Sequence, residues 1–375
     1  MILDADNLKH QAYRITLTII SNILVFILSG CITPFDLKYD DNEFLLVVDG
    51  NITQKNTKHK LFLRRSLSIG SPRFSPVNEA EITLFDQLGN SEKYIEEGNG
   101  EYYISGNKIN RYPGNTYYIE ILLKNNKIYR STPQIMPEVM RPERLDFKLE
   151  IMEEIYSLNN TIEKYYLNLY VSTPIKKNNT SFYFTWKMDH VFSFAEVACP
   201  QPPNPEGPPP TPKICYAKRN YTGEDIRIFS SEDLYGNMLE NFMVATLEVK
   251  PLEEFFEKHF YNVAQHSITK EAYLYWETVK NVSKSTGSIF DIPPGPVKGN
   301  IYNINDPDER VLGFFEVSSV DTIRTYTFGH DLKPLAIDDP CFLGPSSPAC
   351  CNCLLIENSK VERPGYWGYI ISEEL

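Results

Sequence analysis

Cysteines are the residues of this chain whose type and spacing point most directly to chemistry. Two bracket a proline-rich stretch, and four lie close together near the C-terminus. They are Cys199, Cys215, Cys341, Cys350, Cys351 and Cys353. Four neighbouring thiolates can hold a zinc ion, whereas in an oxidising compartment the same thiols form disulfides. The choice between these two interpretations depends on where the chain resides.

The N-terminal segment indicates export. An apolar run over residues 15–28 follows Lys9 and Arg14. Its length suits the hydrophobic region of a signal peptide, whereas a membrane-spanning helix needs about 20 residues. The run ends in the letters LSGC, which fit a bacterial lipobox: an aliphatic residue, two small residues and a cysteine that carries lipid after cleavage. We therefore predict a signal peptide over residues 1–30 and lipid attachment at Cys31. An ordinary buried anchor helix is the alternative.

Export favours disulfides over zinc. The six cysteines that remain beyond the lipobox are an even number, as a disulfide framework requires. We expect Cys199 and Cys215 to pair with each other and to close the proline-rich loop between them. We expect Cys341 to pair with one member of the later cluster. A bridge between Cys351 and Cys353 stays open, and a tetrathiolate zinc site is the alternative.

The sequence carries no recognisable catalytic motif. It contains no HExxH helix, no Walker loop and no GxSxG elbow. One acidic segment offers oxygen ligands that could bind calcium, and short Asx turns are the alternative that we prefer. Its residues are Asn303, Asn305, Asp306, Asp308 and Glu309. We predict a protein that is not an enzyme and that uses no cofactor or metal.

Composition narrows the class of protein. The chain has 375 residues, a formal net charge of −12 and a pI near 5.1. This acidity opposes nucleic-acid binding, which depends on Lys and Arg contacts with phosphates. The 24 Tyr and 21 Phe, many of them in alternating runs, favour β-strands, while 26 Pro exclude long helical repeats. Trp186, on one such run, is predicted to anchor a core.

These patterns predict a mainly β chain with two sandwich-like domains, the first of them immunoglobulin- or transthyretin-like. One amphipathic helix and a disulfide-rich C-terminal tail complete the predicted fold. The predicted organisation after the signal peptide is, in chain order, a lipidated tether over residues 31–43, an N-terminal sandwich over 44–142, a second mainly β domain over 143–328 with the proline-rich loop at 199–215 and the helix at 269–285, and a cysteine-rich tail over 329–375.

The most distinctive segment lies between Tyr273 and Val320. Together with the lipobox and the terminal CCNC letters, it closely resembles a family of Bacteroidota lipoproteins known as domain of unknown function number 4249. The residues that carry the resemblance most specifically are Trp276, Gly287, Phe290, Pro294, Gly299, Asn300 and Gly313. The resemblance extends over nearly the whole mature chain and implies no catalytic residue.

The resemblance implies a lipoprotein anchored in the outer membrane, often encoded near TonB-dependent transporters. We expect the chain to be an accessory or capture subunit of such a barrel protein in nutrient uptake, for a ligand that the sequence does not specify. The acidic stretch after Cys31 fits display on the cell exterior. The alternative is a structural or assembly subunit of an outer-membrane or cell-surface complex.

Overall fold

The computed structural model describes residues 45–66, 74–105, 108–157, 160–177, 180–199, 211–223, 226–232, 234–250, 253–284, 297–342 and 347–368. The predicted signal peptide, Cys31 and the whole predicted tether lie outside these ranges. So do Gly287, Phe290 and Pro294, and residues 200–210 of the proline-rich loop. Residues Phe44–Leu375 form one compact unit. Within the described ranges, no helix is long and apolar enough to cross a membrane.

Strands dominate the described residues, with one α-helix and a few short 3-10 helices. The strands are β1 (Leu46–Ile52), β2 (His59–Ser66), β3 (Phe74–Pro76), β4 (Glu81–Asp86), β5 (Ser91–Lys93), β6 (Ile95–Gly98), β7 (Glu101–Ile104), β8 (Thr116–Leu122), β9 (Ile128–Ser131), β10 (Gln134–Ile135), β11 (Arg144–Ser157), β12 (Asn160–Pro174), β13 (Lys176–Lys177), β14 (Thr180–Ser181), β15 (Tyr183–Ala195), β16 (Ile214–Asn220), β17 (Ile228–Ser230), β18 (Met238–Val249), β19 (His259–Ile268), β20 (Ile301–Asn303), β21 (Val311–Val317), β22 (Ser319–Thr327) and β23 (Ser359–Lys360). The α-helix is α1 (Lys270–Lys284), and the 3-10 helices are Glu253–Phe255, Gly329–Leu332, Pro348–Cys350 and Cys353–Leu355.

Period-two alternation builds the first pair of sheets. In β8, Tyr117, Ile119 and Ile121 are fully buried, while the residues between them are partly exposed. Such alternation places one face of a strand against a core and the other towards solvent. Leu61 and Leu63 of β2 enter the same core from the facing sheet.

Two late strands complete this first sandwich. One sheet has the order β21-β1-β2-β7-β6, with β3 also on β2, and the other has the order β20-β9-β8-β4-β5, with β10 on β8. β21 runs parallel to β1, and β20 runs antiparallel to β9. The segment containing β20 and β21, which the sequence pattern placed in the second domain, therefore supplies a strand to each sheet of the first sandwich.

The second pair of sheets encloses a separate core. One sheet is β11-β12-β18, and the other is β22-β19-β15-β16-β23, with β17 on β15. Leu167 and Leu169 of the first sheet share an apolar cluster with Trp186 and Tyr261 of the second. Trp186 is buried, and its indole N–H donates to Oε1 of Gln265 at 3.0 Å. The prediction that Trp186 anchors a core is confirmed.

The single predicted helix is confirmed as α1. The predicted helix, 269–285, starts one residue before the observed Lys270, and residue 285 lies outside the described residues. Thr269 caps the helix, since its Oγ1 accepts the backbone N–H of Ala272 at 3.2 Å. Ala272 is fully buried against Phe314 of β21. The mainly β class, the single helix and the disulfide-rich C-terminal region are thus all present.

Candidate interaction surface

The six cysteines form three disulfides: Cys199–Cys351, Cys215–Cys353 and Cys341–Cys350. The prediction that Cys341 pairs with one member of the later cluster is confirmed. The prediction that Cys199 pairs with Cys215 is wrong, and no bridge joins Cys351 to Cys353. The tail is therefore bonded to both ends of the proline-rich loop.

Hairpin register explains the wrong pairing. β15 and β16 align Phe194 opposite Cys215. Cys199 lies further along the chain, beyond the end of β15. Phe194, rather than Cys199, therefore occupies the position beside Cys215, and Cys199 is five residues further along the chain. A disulfide needs Cα atoms within about 7 Å. The tail lies beside the hairpin instead: the backbone N–H of Val197 donates to the carbonyl of Cys350 at 2.9 Å, and the N–H of Cys353 donates to the Glu196 carboxylate at 3.0 Å.

A buried carboxylate near these disulfides has a structural role. Ligand atoms of Glu196, Cys215 and Cys353 lie within 4.8 Å of one another. However, the two sulfurs are bonded to each other, and the Glu196 carboxylate accepts the backbone N–H groups of Cys353 at 3.0 Å and Lys213 at 2.9 Å. The zinc alternative has no free thiolate to use among the described cysteines. Glu196 instead attaches the tail to the hairpin.

The described family-motif residues gather around β21. The Asn300 side chain donates to the Phe315 carbonyl at 2.9 Å and accepts the Phe315 N–H at 2.8 Å. The Trp276 indole N–H donates to the Glu316 carboxylate at 2.9 Å. These bonds attach the β19–α1 side of the molecule and the segment before β20 to one strand.

Two glycines of the motif permit close backbone contacts at the same strand. A Cβ atom on Gly299 would lie 1.6 Å from the carbonyl oxygen of Gly313. Gly313 has φ +90°, and a Cβ there would lie 2.0 Å from the carbonyl oxygen of Val48 in β1. Only glycine fits either position without displacing backbone. The motif thus secures β21 beside β1 and serves the fold.

Buried histidines form a second polar feature of the core. Nδ1 of His190 and Nε2 of His259 lie 2.8 Å apart, and both residues are buried. Burial lowers the pKa of His190 to about 4 and the pKa of His259 well below its usual value. The His259 ring stacks against Tyr261, with centroids 4.7 Å apart. We assign this pair to core packing, since both rings are enclosed by neighbouring aromatic side chains.

The acidic segment 303–309 forms turns. Oδ1 of Asn303 accepts the backbone N–H of Asn305 at 2.9 Å, which is the Asx turn that we preferred. The Glu309 carboxylate accepts the Tyr129 hydroxyl at 2.7 Å and the Lys127 ammonium at 2.9 Å. Protein donors therefore occupy the carboxylate with which the segment would best hold calcium.

A projecting two-stranded ribbon is the candidate interaction surface. β11 and β12 pair over nearly their whole length, whereas β18 accompanies β12 only as far as Tyr165, which lies opposite Val249. Residues 152–155 of β11 and 161–164 of β12 extend past that point with no third strand beside them among the described residues, and we call this part the ribbon. A two-stranded hairpin by itself is at best marginally stable in water.

Large apolar side chains on the ribbon face solvent. The exposed fractions are 52% for Met152, 78% for Ile155 and 42% for Ile162, and 46% for Ile151 at the base of the ribbon. Exposed apolar groups concentrated on one projecting element are typical of contact with another macromolecule. Sequence reasoning missed this surface. The available signal was the adjacent pair Ile151-Met152, which places apolar side chains on both faces of a strand.

Comparison with known proteins gives one finding and one negative result. The family model described as "Domain of unknown function (DUF4249)" matches residues 32–324. The matched range includes the ribbon, the motif around β21 and both pairs of sheets except the end of β22 and β23. No curated protein gives a significant match to the chain.

Proposed function

The chain belongs to the DUF4249 family, and from this premise we propose that it is a non-enzymatic lipoprotein of the outer membrane. In this proposal, lipid on Cys31 anchors the chain, and the body faces the cell exterior. The protein acts as an accessory or capture subunit of a TonB-dependent transporter in nutrient uptake. Binding of its barrel partner, rather than turnover of a substrate, is its activity.

The ribbon is the observation that carries this proposal. A subunit that works on a partner needs a surface suited to protein contact, and such surfaces are rich in large apolar side chains. Met152 and Ile155 provide such side chains on an element that projects beyond the three-stranded sheet. The three disulfides support the proposal independently, because disulfides persist in exported proteins.

Affinity purification of the tagged, lipidated protein from gently solubilised outer membranes tests this proposal. We expect a TonB-dependent barrel in stoichiometric amount, identified by mass spectrometry. The matched control is the Cys31→Ser variant, which should not be recovered in the membrane fraction. Recovery of the lipoprotein alone would contradict the proposal. Recovery with assembly factors would favour a structural or assembly role.

A further inference from the structure

The two faces of the ribbon differ in how their charges are balanced. On one face, Glu154 forms an ion pair with Lys164. On the other face, Glu153 lies directly opposite Glu163. No ion pair within the described residues reaches either of these two carboxylates, and Glu163 accepts only the Tyr165 hydroxyl, at 2.8 Å. Like charges directly opposite each other destabilise a strand pair.

Isoleucines flank this carboxylate pair. Ile151, Glu153 and Ile155 alternate along one face of β11, and this face continues the one that carries Leu167 into the core. An apolar surface with two unneutralised carboxylates at its centre matches an apolar partner surface that bears a cation. A guanidinium is well suited, because its planar donors can bond two carboxylates at once.

The opposite face is also apolar. Met152 and Ile162 lie there, beside the Glu154–Lys164 pair. A flat partner surface would cover only one face and leave the other exposed. A cleft that closes on the ribbon from both sides would bury Ile155 on one face and Ile162 on the other.

We propose that the ribbon inserts into a cleft of the transporter barrel partner and that the cleft places an Arg or Lys side chain between Glu153 and Glu163. The identity of the partner rests on the proposed function above. A second copy of this chain fits poorly, because the same face would bring two more carboxylates. An anionic membrane surface fits poorly for the same electrostatic reason.

Charge variants of the full lipidated chain test the carboxylate pair. Glu153→Lys with Glu163→Lys should weaken barrel binding by at least about 30-fold, as expected when one partner of a desolvated charge pair is lost. The control carries Glu240→Lys and Glu362→Lys, which change the net charge equally at exposed positions outside the ribbon. This control should retain the barrel as the unaltered chain does.

A conservative pair separates binding from folding. Glu153→Gln with Glu163→Gln removes the repulsion, so the free protein should be at least as stable to denaturant as the unaltered chain. Its barrel binding should nevertheless fall, because the partner cation loses both carboxylates. Binding equal to that of the unaltered chain would overturn the proposed contact.

Photocrosslinking tests the cleft. A photoreactive amino acid at position 155 and, separately, at position 162 should each give an adduct with the barrel. An adduct from one position only would contradict a two-sided cleft, and adducts with lipid or with a second copy would replace the proposed partner. If the charge variants bind the barrel as well as the unaltered chain does, the ribbon proposal fails while the proposed function stands. If the unaltered chain retains no barrel, both fail.

Discussion

The Asn300 side chain bonds both the N–H and the carbonyl of Phe315, at 2.8 and 2.9 Å. A side-chain amide thereby takes the role of a neighbouring strand. Both residues are buried, so water does not compete for these hydrogen bonds. The contact joins the segment before β20 to β21 and helps to fix the strand that completes the first sandwich.

We predict that Asn300→Ala lowers the free energy of unfolding by about 2–4 kcal/mol. The substitution leaves a buried N–H and a buried carbonyl without their partner, and each such loss costs about 1–3 kcal/mol. Denaturant titration of the purified protein would measure this change. Asn305→Ala, at an exposed position of the same segment, should change the free energy by less than about 0.5 kcal/mol. Equal effects of the two substitutions would contradict the role assigned to Asn300.

Gly313→Ala should destabilise the protein by about 3 kcal/mol or more. Its positive φ is costly for alanine, and its new Cβ would overlap the Val48 carbonyl. Gly89 has φ +83° with no atom within 4 Å of its Cβ position. Gly89→Ala should therefore cost only about 1–2 kcal/mol, which comes from the backbone conformation alone. Thermal unfolding of both variants separates the two contributions, and similar melting temperatures would refute the close contact.

Stability should decline in mild acid because of buried histidines. Burial lowers the pKa of His266 to about 3 and the pKa values of His59 and His190 to about 4. Below about pH 6.5, the unfolded chain binds protons at these residues and the folded chain does not. The stability that they contribute is therefore present above pH 6.5 and is lost as the pH falls towards 4, by up to about 1.4 kcal/mol per pH unit for each histidine.

Unfolding experiments at pH 7 and pH 5 check the direction and its source. The His266→Gln variant should lose less stability between these two pH values than the unaltered chain, since one proton-binding site is removed from the unfolded state. His330→Gln, at an exposed histidine, is the matched substitution outside the core. An unaltered pH dependence in the His266 variant would show that another group is responsible.

The two long-range disulfides should contribute non-additively. Cys199–Cys351 and Cys215–Cys353 close loops with sequence separations of 152 and 138 residues. When one of these disulfides is present, the other closes an additional loop of only about 18 residues. Replacing the two cysteines of either disulfide by serines should therefore lower the free energy of unfolding by about 3 kcal/mol. Removing both opens the long loop and should cost about 8 kcal/mol. A double-mutant cycle by denaturant unfolding without reductant measures the difference, and strict additivity would contradict the shared loop.

Membrane attachment should depend on one cysteine. We predict that Cys31→Ser moves the protein from the membrane fraction to the soluble fraction, because the acyl chains supply the anchoring free energy. Immunoblots of fractionated cells measure the distribution. A serine variant that stays with the membrane would refute the lipobox interpretation. As a control, the variant with Cys341→Ser and Cys350→Ser should remain membrane-bound.

Alternation was a sufficient guide to the strands but not to their partners. The apolar periodicity of β8 and the aromatic run of β15 predicted β-structure, because period two reports which face of a strand is buried. It carries no information on a parallel neighbour from a distant segment. Gly299 and Asn300, which secure β21, have the residue types of an ordinary turn. Their role appears only when Val48 and Phe315 are brought beside them.

The disulfide pairing and the exposure of the ribbon could not be predicted from the sequence, for a similar reason. Nearness along the chain favoured Cys199 with Cys215, whereas hairpin register places Phe194 opposite Cys215. The exposure of Ile155 depends on where β18 ends, and β18 begins far along the chain from β11. Properties decided by long-range register cannot be read from a local pattern.

The parallel pairing of β1 with β21 also delays the completion of the first sheet during synthesis. Gln54 follows β1 and bonds to Val320, 266 residues later in the chain. At about 5–20 residues per second, translation leaves the outer edge of β1 without its neighbour for roughly 10–50 s. An open strand edge invites pairing with other chains during that interval. The nascent protein is therefore prone to incorrect strand pairing until its last quarter has emerged. Factors that shield exposed strands would act during this interval.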